Sequence, residues 1–285
     1  MRFDFSLLKK LIQRLAAWYM GKIRSLDLSS VARLFEPATM KEWLYGLKEL
    51  NHFRLILLLN AVGFLLLASW YWTAFEGFWF ELDRTVFYFF NRLIGTGGFF
   101  CYFVAVTNLR PFDLVSFAAM LAIFYSHYRN TNVEGKRWLA SIGVAMLLSA
   151  FILKRVDDLV SWSRISASLY FDDLNGDVNF VSGLTGLPAK DISFTSFPGD
   201  HAMMLLIFCA YMRRYLGTGP FWQGVVVFTV FSLPRIMSGA HWLSDVAVGS
   251  LSFALIVLSW LVLTPLADIF ISWLERKLPL SWFVR

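Results

Sequence analysis

The chain has 285 residues, of which 58% are hydrophobic and 16% charged, against about 25% charged in ordinary soluble domains. With 12 Trp and 29 Phe it carries an aromatic load of the kind that gathers at membrane–water interfaces. This excludes a pair of soluble domains and points to a polytopic, all-α membrane protein with one helical domain; the formal net charge of +6 is unevenly placed and calls for no nucleic acid. The two cysteines, Cys101 and Cys209, lie in apolar surroundings. With no C-x-x-C pair and no acidic cluster at ligand spacing, the sequence calls for no disulfide, metal or cofactor.

Residues 1–54 form a basic extension without the apolar core or cleavage site of a signal peptide. Leu7, Leu8, Leu11, Ile12, Leu15, Tyr19 and Ile23 recur at helical spacing, with Lys9, Lys10, Arg14 and Lys22 off that face. The pattern fits an amphipathic helix on an anionic membrane surface, or one docked on the protein's own cytoplasmic loops. Glu36-Pro37 breaks it, and a second short amphipathic piece is expected over residues 41–51.

Residues 55–72 are free of charge and close on W-Y-W, which makes them the first expected span. Residues 75–98 read as an aromatic connection with an interfacial helix at 87–90, and 99–107 as a re-entrant or interfacial piece. Further spans are expected at 112–128 and 138–153. A polar stretch over 154–195 follows, and then three more spans: from about 199 to Arg213-Arg214, over 221–233, and over 245–263. The expectation is a six-helix bundle over residues 55–271, with a short basic tail at 272–285. Most Lys and Arg fall in the extension, the loop at 129–137, the Arg213-Arg214 turn and the tail. Six spans put all of these on one side, which the charge rule makes cytoplasmic. The polar stretch then faces the other side.

The residues that carry chemistry gather on that other side. Pro198-Gly199-Asp200-His201 precedes an apolar run and reads as a helix start, whose N–H groups and positive dipole end favour an anion. Arg235 precedes His241 by six positions and offers a permanently charged fork to phosphate oxygens. Asp245 follows His241 at i,i+4, where its carboxylate can hold one ring nitrogen protonated and leave the other free to attack. Together these parts suit metal-free phosphoryl transfer.

These motifs resemble the type 2 phosphatidic acid phosphatase superfamily, whose members carry K-x6-R-P, P-S-G-H and S-R-x5-H-x3-D. Within it, S-F-P-G-D-H and R-x-M-x-G-A-H-W are most similar to the inner-membrane lipid A phosphotransferases. So are N-A-V-G-F-L-L-L-A-S-W-Y from Asn60, F-Y-F-F-N from Phe87 and A-V-T-N from Ala105. The likeness spans about residues 55–271 and leaves out the first fifty. It implies a bacterial inner-membrane enzyme with a periplasmic site and cytoplasmic termini. It also implies undecaprenyl diphosphate as phosphoryl donor and lipid A 1-phosphate as acceptor. The roles implied are His241 as nucleophile, Asp245 as its orienter and His201 as general acid and then base. Arg235 and the amides of Gly199 and Asp200 would cradle the phosphate.

The first motif is degraded. Arg164 matches its Arg, Ile165 replaces its Pro, and Asp157 stands where its Lys belongs, so that Lys154 or Arg155 would have to reach the phosphate instead. The motif Ser is replaced by Gly199, and Asp200 adds an acid beside His201. Two other readings stay open: a hydrolase of the same superfamily acting on undecaprenyl diphosphate or a phospholipid, and a non-catalytic transport or structural protein on the same fold. Oligomeric state has no signature in the sequence.

Overall fold

A computed structural model describes residues 40–72, 76–160 and 164–283, with the side chains of 40–51, 157–160 and 175 outside the description. The amphipathic pattern from Leu7 to Ile23 and the Glu36-Pro37 break lie outside the described residues, as do the side chains of the 41–51 piece. The chain separates into two compact units, residues 1–51 and 52–285. Among the described residues every regular element is helical.

In chain order the helices are α1 (Met40–Tyr71), α2 (Phe78–Gly95), α3 (Gly98–Thr107), α4 (Phe112–Arg129), α5 (Val133–Val160), α6 (Ala167–Asn175) and α7 (Val181–Thr185). After them come α8 (Asp200–Tyr211), which runs on into a π-helical turn at Met212–Leu216, and α9 (Thr218–Met237). The next helix, α10 (Asp245–Leu263), contains two π-helical stretches, and α11 (Pro265–Lys277) is followed by a short 3-10 turn at Leu280–Phe283. Among the described residues three segments are long and apolar enough to cross a membrane: His52–Tyr71, Val133–Val156 and Asp245–Leu263. The α2–α3 pair qualifies as a fourth only when taken together, and it is bent by 117°. The expected spans at 112–128, 199–214 and 221–233 are helices, but length and composition alone do not qualify them.

Helix α2 corrects the expected connection at 75–98. Asp83, Phe87, Asn91 and Ile94 are its buried residues, spaced along one helical face. Aromatic residues on the outer face, such as the exposed Phe78 and Phe89, hide that period in the sequence. Gly97 and Gly98 take φ of 70° and 67°, the left-handed region that turns the chain into α3. The polar stretch at 154–195 is also more helical than expected: α5 runs on to Val160, and α6 and α7 follow.

Helix α8 is the central strut, packed against α9, α5 and α10. Away from the site its lower half joins a core of Leu139, Ile142, Leu153, Tyr211, Met212, Leu258 and Ile271. In a membrane such packing works by close fit and interhelical hydrogen bonds more than by expulsion of water. The Tyr211 and Ser149 hydroxyls, 2.7 Å apart, tie α8 to α5 in this way, an interaction of about 0.6 kcal/mol in typical bundles.

Candidate active site

Helix α9 ends at Met237, and the chain turns sharply before α10 begins at Asp245. Gly239 makes that turn at φ 76°, and a Cβ there would sit 2.7 Å from the Phe87 ring. The turn brings His241 back so that its backbone N–H donates to the Arg235 carbonyl at 3.1 Å. The two side chains of the R-x5-H pattern are thereby fixed relative to each other. His241 is buried, and its Nδ1 lies 2.8 Å from the Ser196 carbonyl oxygen and 3.4 Å from Asp245 Oδ2. A carbonyl only accepts, so Nδ1 carries the proton, and in the neutral ring Nε2 holds the lone pair.

Beneath His241 lies a buried charge cluster. The Asp245 carboxylate accepts from the Trp242 backbone N–H at 2.8 Å and from Arg164 Nη1 at 2.8 Å. Through Nη2, Arg164 also reaches Asp83 on α2 at 3.0 Å, and Asp83 accepts from the N–H and Oγ of Ser244. The guanidinium is held against the Trp242 ring, 4.1 Å from its centroid, with Trp70 at 5.3 Å. Arg164 thus bridges the two buried carboxylates and fixes Asp245 beside the imidazole.

Above His241 opens a cavity of about 270 Å³, lined by His241, His201, Arg235, Asp113, Lys190 and Asp200 together with Thr195 and Met204. His201 stands in the first turn of α8, behind the cis Phe197-Pro198 bond and Gly199. Arg235 is buried and pairs with Asp113 at 2.6 Å, and its Nη1 lies 3.5 Å from Asn108 Oδ1. The same Asp113 oxygen is 3.9 Å from His201 Nδ1. The cavity thus combines a histidine whose Nδ1–H is held by a main-chain carbonyl, a second histidine beside a carboxylate, and two cationic side chains. Groups of these kinds can serve phosphoryl transfer by positioning and charge.

The structure therefore brings together His241, Asp245, His201, Arg235, Gly199 and Asp200. It keeps Arg164 and Lys154 out of the cavity lining. Arg164 is committed to its two carboxylates and Ser244, while Lys154 Nζ lies 3.2 Å from Asp200 Oδ1 in an exposed ion pair. The Gly199 N–H is also occupied, donating to the Asp245 carbonyl at 3.2 Å, so the amide cradle expected there has one donor fewer. Gly199 instead permits close packing: Ser250 Oγ donates to its carbonyl at 2.8 Å, and a Cβ would meet that same oxygen at 3.1 Å.

Several members of the site went unread in the sequence. Asp113 follows Arg110-Pro111 at the start of an expected span, where an acid looks like a complement to the helix dipole. Lys190 sits in a polar stretch with no motif spacing, and Asp83 in the segment taken for a connection. The Ser196 carbonyl is main chain and has no sequence signal at all. Asn108 closes the fully buried end of A-V-T-N; its side chain donates to the Pro234 carbonyl at 2.9 Å.

The chain is 44% identical over 225 residues to the lipid A 1-diphosphate synthase of Escherichia coli (strain K12), a match covering 79% of this chain and 93% of that protein. No family profile matches the chain. No solved structure matches it either.

Proposed function

Because the chain belongs to the family of the lipid A 1-diphosphate synthase, we propose that it is a membrane phosphotransferase carrying a phosphoryl group from undecaprenyl diphosphate to lipid A 1-phosphate. The observation that carries the reading is His241, buried in the cavity wall with Nδ1–H held by the Ser196 carbonyl. That leaves Nε2 as the attacking atom. Nε2 bonds to the terminal phosphorus, and the bond from that phosphorus to the bridging oxygen breaks. His201 donates a proton to the departing oxygen. In the second step an oxygen of the acceptor phosphate attacks the phosphohistidine, and the Nε2–phosphorus bond breaks. Arg235 lies along the cavity wall to hold the equatorial oxygens, and the Asp245 carboxylate, 3.4 Å from Nδ1, steadies the ring while it carries the phosphoryl group.

Orientation follows from the basic loops: the site faces the periplasm of a bacterial inner membrane, and both termini are cytoplasmic. Residues 55–271 make up the catalytic domain. A periplasmic reporter fused near Gly183 is expected to be active and one near Gly217 inactive; the reverse pattern would invert the topology.

The deciding test uses a donor labelled on its terminal phosphate and the purified protein, with and without lipid acceptor. Label moves to the acceptor, and free phosphate appears slowly in its absence. Rapid release without acceptor would make the protein a hydrolase of the same chemistry.

A further inference from the structure

We propose that Lys190 is the ligand of a second phosphate, the one left behind on the donor, and that it selects diphosphate donors over monophosphate ones. The inference rests on the cavity being a phosphate site, as read above, and adds to it the residue that recognises the second phosphate.

The position of Lys190 is built, not incidental. Its backbone N–H donates to the Asn108 carbonyl at 2.9 Å, and its carbonyl accepts from Ser238 Oγ at 3.2 Å. Asn108 is also the residue whose Oδ1 faces Arg235 Nη1 at 3.5 Å and accepts from Ser238 Oγ at 3.3 Å. One fully buried residue, Asn108, thus links the Lys190 backbone through its carbonyl to the Arg235 guanidinium through its side chain. Both cations line the same cavity as His241.

Their electrostatic states differ. Arg235 is already met by Asp113 at 2.6 Å. The Lys190 ammonium has no hydrogen bond or ion pair with any described residue. Lys190 is an exposed residue at the cavity wall, and partial loss of solvent, then the like charge of Arg235, hold its ammonium below the ordinary lysine pKa, while Asp200 and Asp113 act in the opposite sense. An ammonium at that spot gains from an anion that comes between it and Arg235. The cavity of about 270 Å³ has room for more than one phosphate, given ~30 Å³ for each water molecule displaced. Two other basic candidates are engaged elsewhere, Arg164 with two buried carboxylates and Lys154 with Asp200. A compact ammonium on a long arm suits a leaving phosphate, whose bridging oxygen gathers charge as its bond to the transferred phosphorus breaks.

The test is calorimetric titration of the purified full chain in detergent with inorganic phosphate and inorganic pyrophosphate. The wild type binds pyrophosphate more tightly. Lys190→Met loses about tenfold of that affinity, equivalent to about 1.4 kcal/mol, and less than twofold of its affinity for phosphate. Lys190→Arg retains the preference, and unchanged thermal unfolding of both variants shows that the fold is kept. Equal losses for the two anions, or none for either, overturn the assignment while leaving the phosphate site standing. A wild type that binds neither anion removes the phosphate site and the inference together. A Lys190-dependent pyrophosphate preference in a protein that fails to phosphorylate lipid A sinks the transferase reading and keeps this one.

Discussion

Asp113 Oδ1 lies 2.6 Å from Arg235 Nη2, so the buried cation facing the cavity is already answered by a half-exposed carboxylate. A phosphate arriving beside Arg235 meets a like charge that must move or be tolerated. Asp113→Asn is therefore expected to tighten binding of inorganic phosphate by roughly two- to fivefold, the scale of a partly exposed ion pair. Titration calorimetry reads this directly. Weaker binding would mean that Asp113 serves to aim Arg235.

His241→Ala is expected to lower kcat by at least about 10⁴-fold and to abolish acid-labile label on the protein after a quench with labelled donor. His201→Ala is expected to cost roughly 10²–10⁴-fold, the usual scale for a general acid, and still to accumulate some labelled protein. Protein-bound label that survived in His241→Ala would put the nucleophile elsewhere.

Arg164→Met strands two buried carboxylates, a loss of about 3–5 kcal/mol where a buried pair is broken. Thermal unfolding should fall sharply, and Arg164→Lys should fall short of rescue because a lysine cannot answer two carboxylates with a rigid fork. The phosphate affinity of the protein that remains folded should stay near wild type. If Arg164→Lys kept its unfolding temperature and lost phosphate, Arg164 would be a phosphate ligand after all.

Gly239→Ala combines a φ of 76° with a Cβ 2.7 Å from the Phe87 ring. The expected cost is about 1–3 kcal/mol of backbone strain, with activity lost through displacement of His241. Adding Phe87→Leu relieves the clash but not the strained φ, so the double variant should recover only part of the unfolding temperature.

Legibility from sequence followed the kind of interaction involved. The segments at 55–72 and 245–263 were readable because an uninterrupted apolar run is a local property, and both reappear among the segments able to cross a membrane. Helix α2 was not, because its buried polar residues Asp83 and Asn91 find partners on Ser244, Arg164 and Asn179, all distant in sequence. At the site, the i,i+4 spacing pairs His241 with Asp245 and the structure sets them 3.4 Å apart, although His241 lies in a bend ahead of α10 and does not open a helix. Spacing could not say that a main-chain carbonyl from Ser196 would come closer still. Nor could it say that the motif arginine, Arg164, would turn inward while Lys190, outside any motif, lined the cavity. Such facts depend on which loop folds over which helix end.

The double commitment of Arg164 has a consequence for descent. A chain that lost Asp83 alone would hold an arginine short of one partner, and a chain that lost Arg164 alone would bury two anions face to face. Neither change is easily crossed by itself, so positions 83 and 164 should be inherited as a unit. In related chains an uncharged residue at one should accompany an uncharged residue at the other, with Asp245 and His241 retained throughout. Sequences in which one of the pair drifts freely while the other stays fixed would show that the link is not under selection.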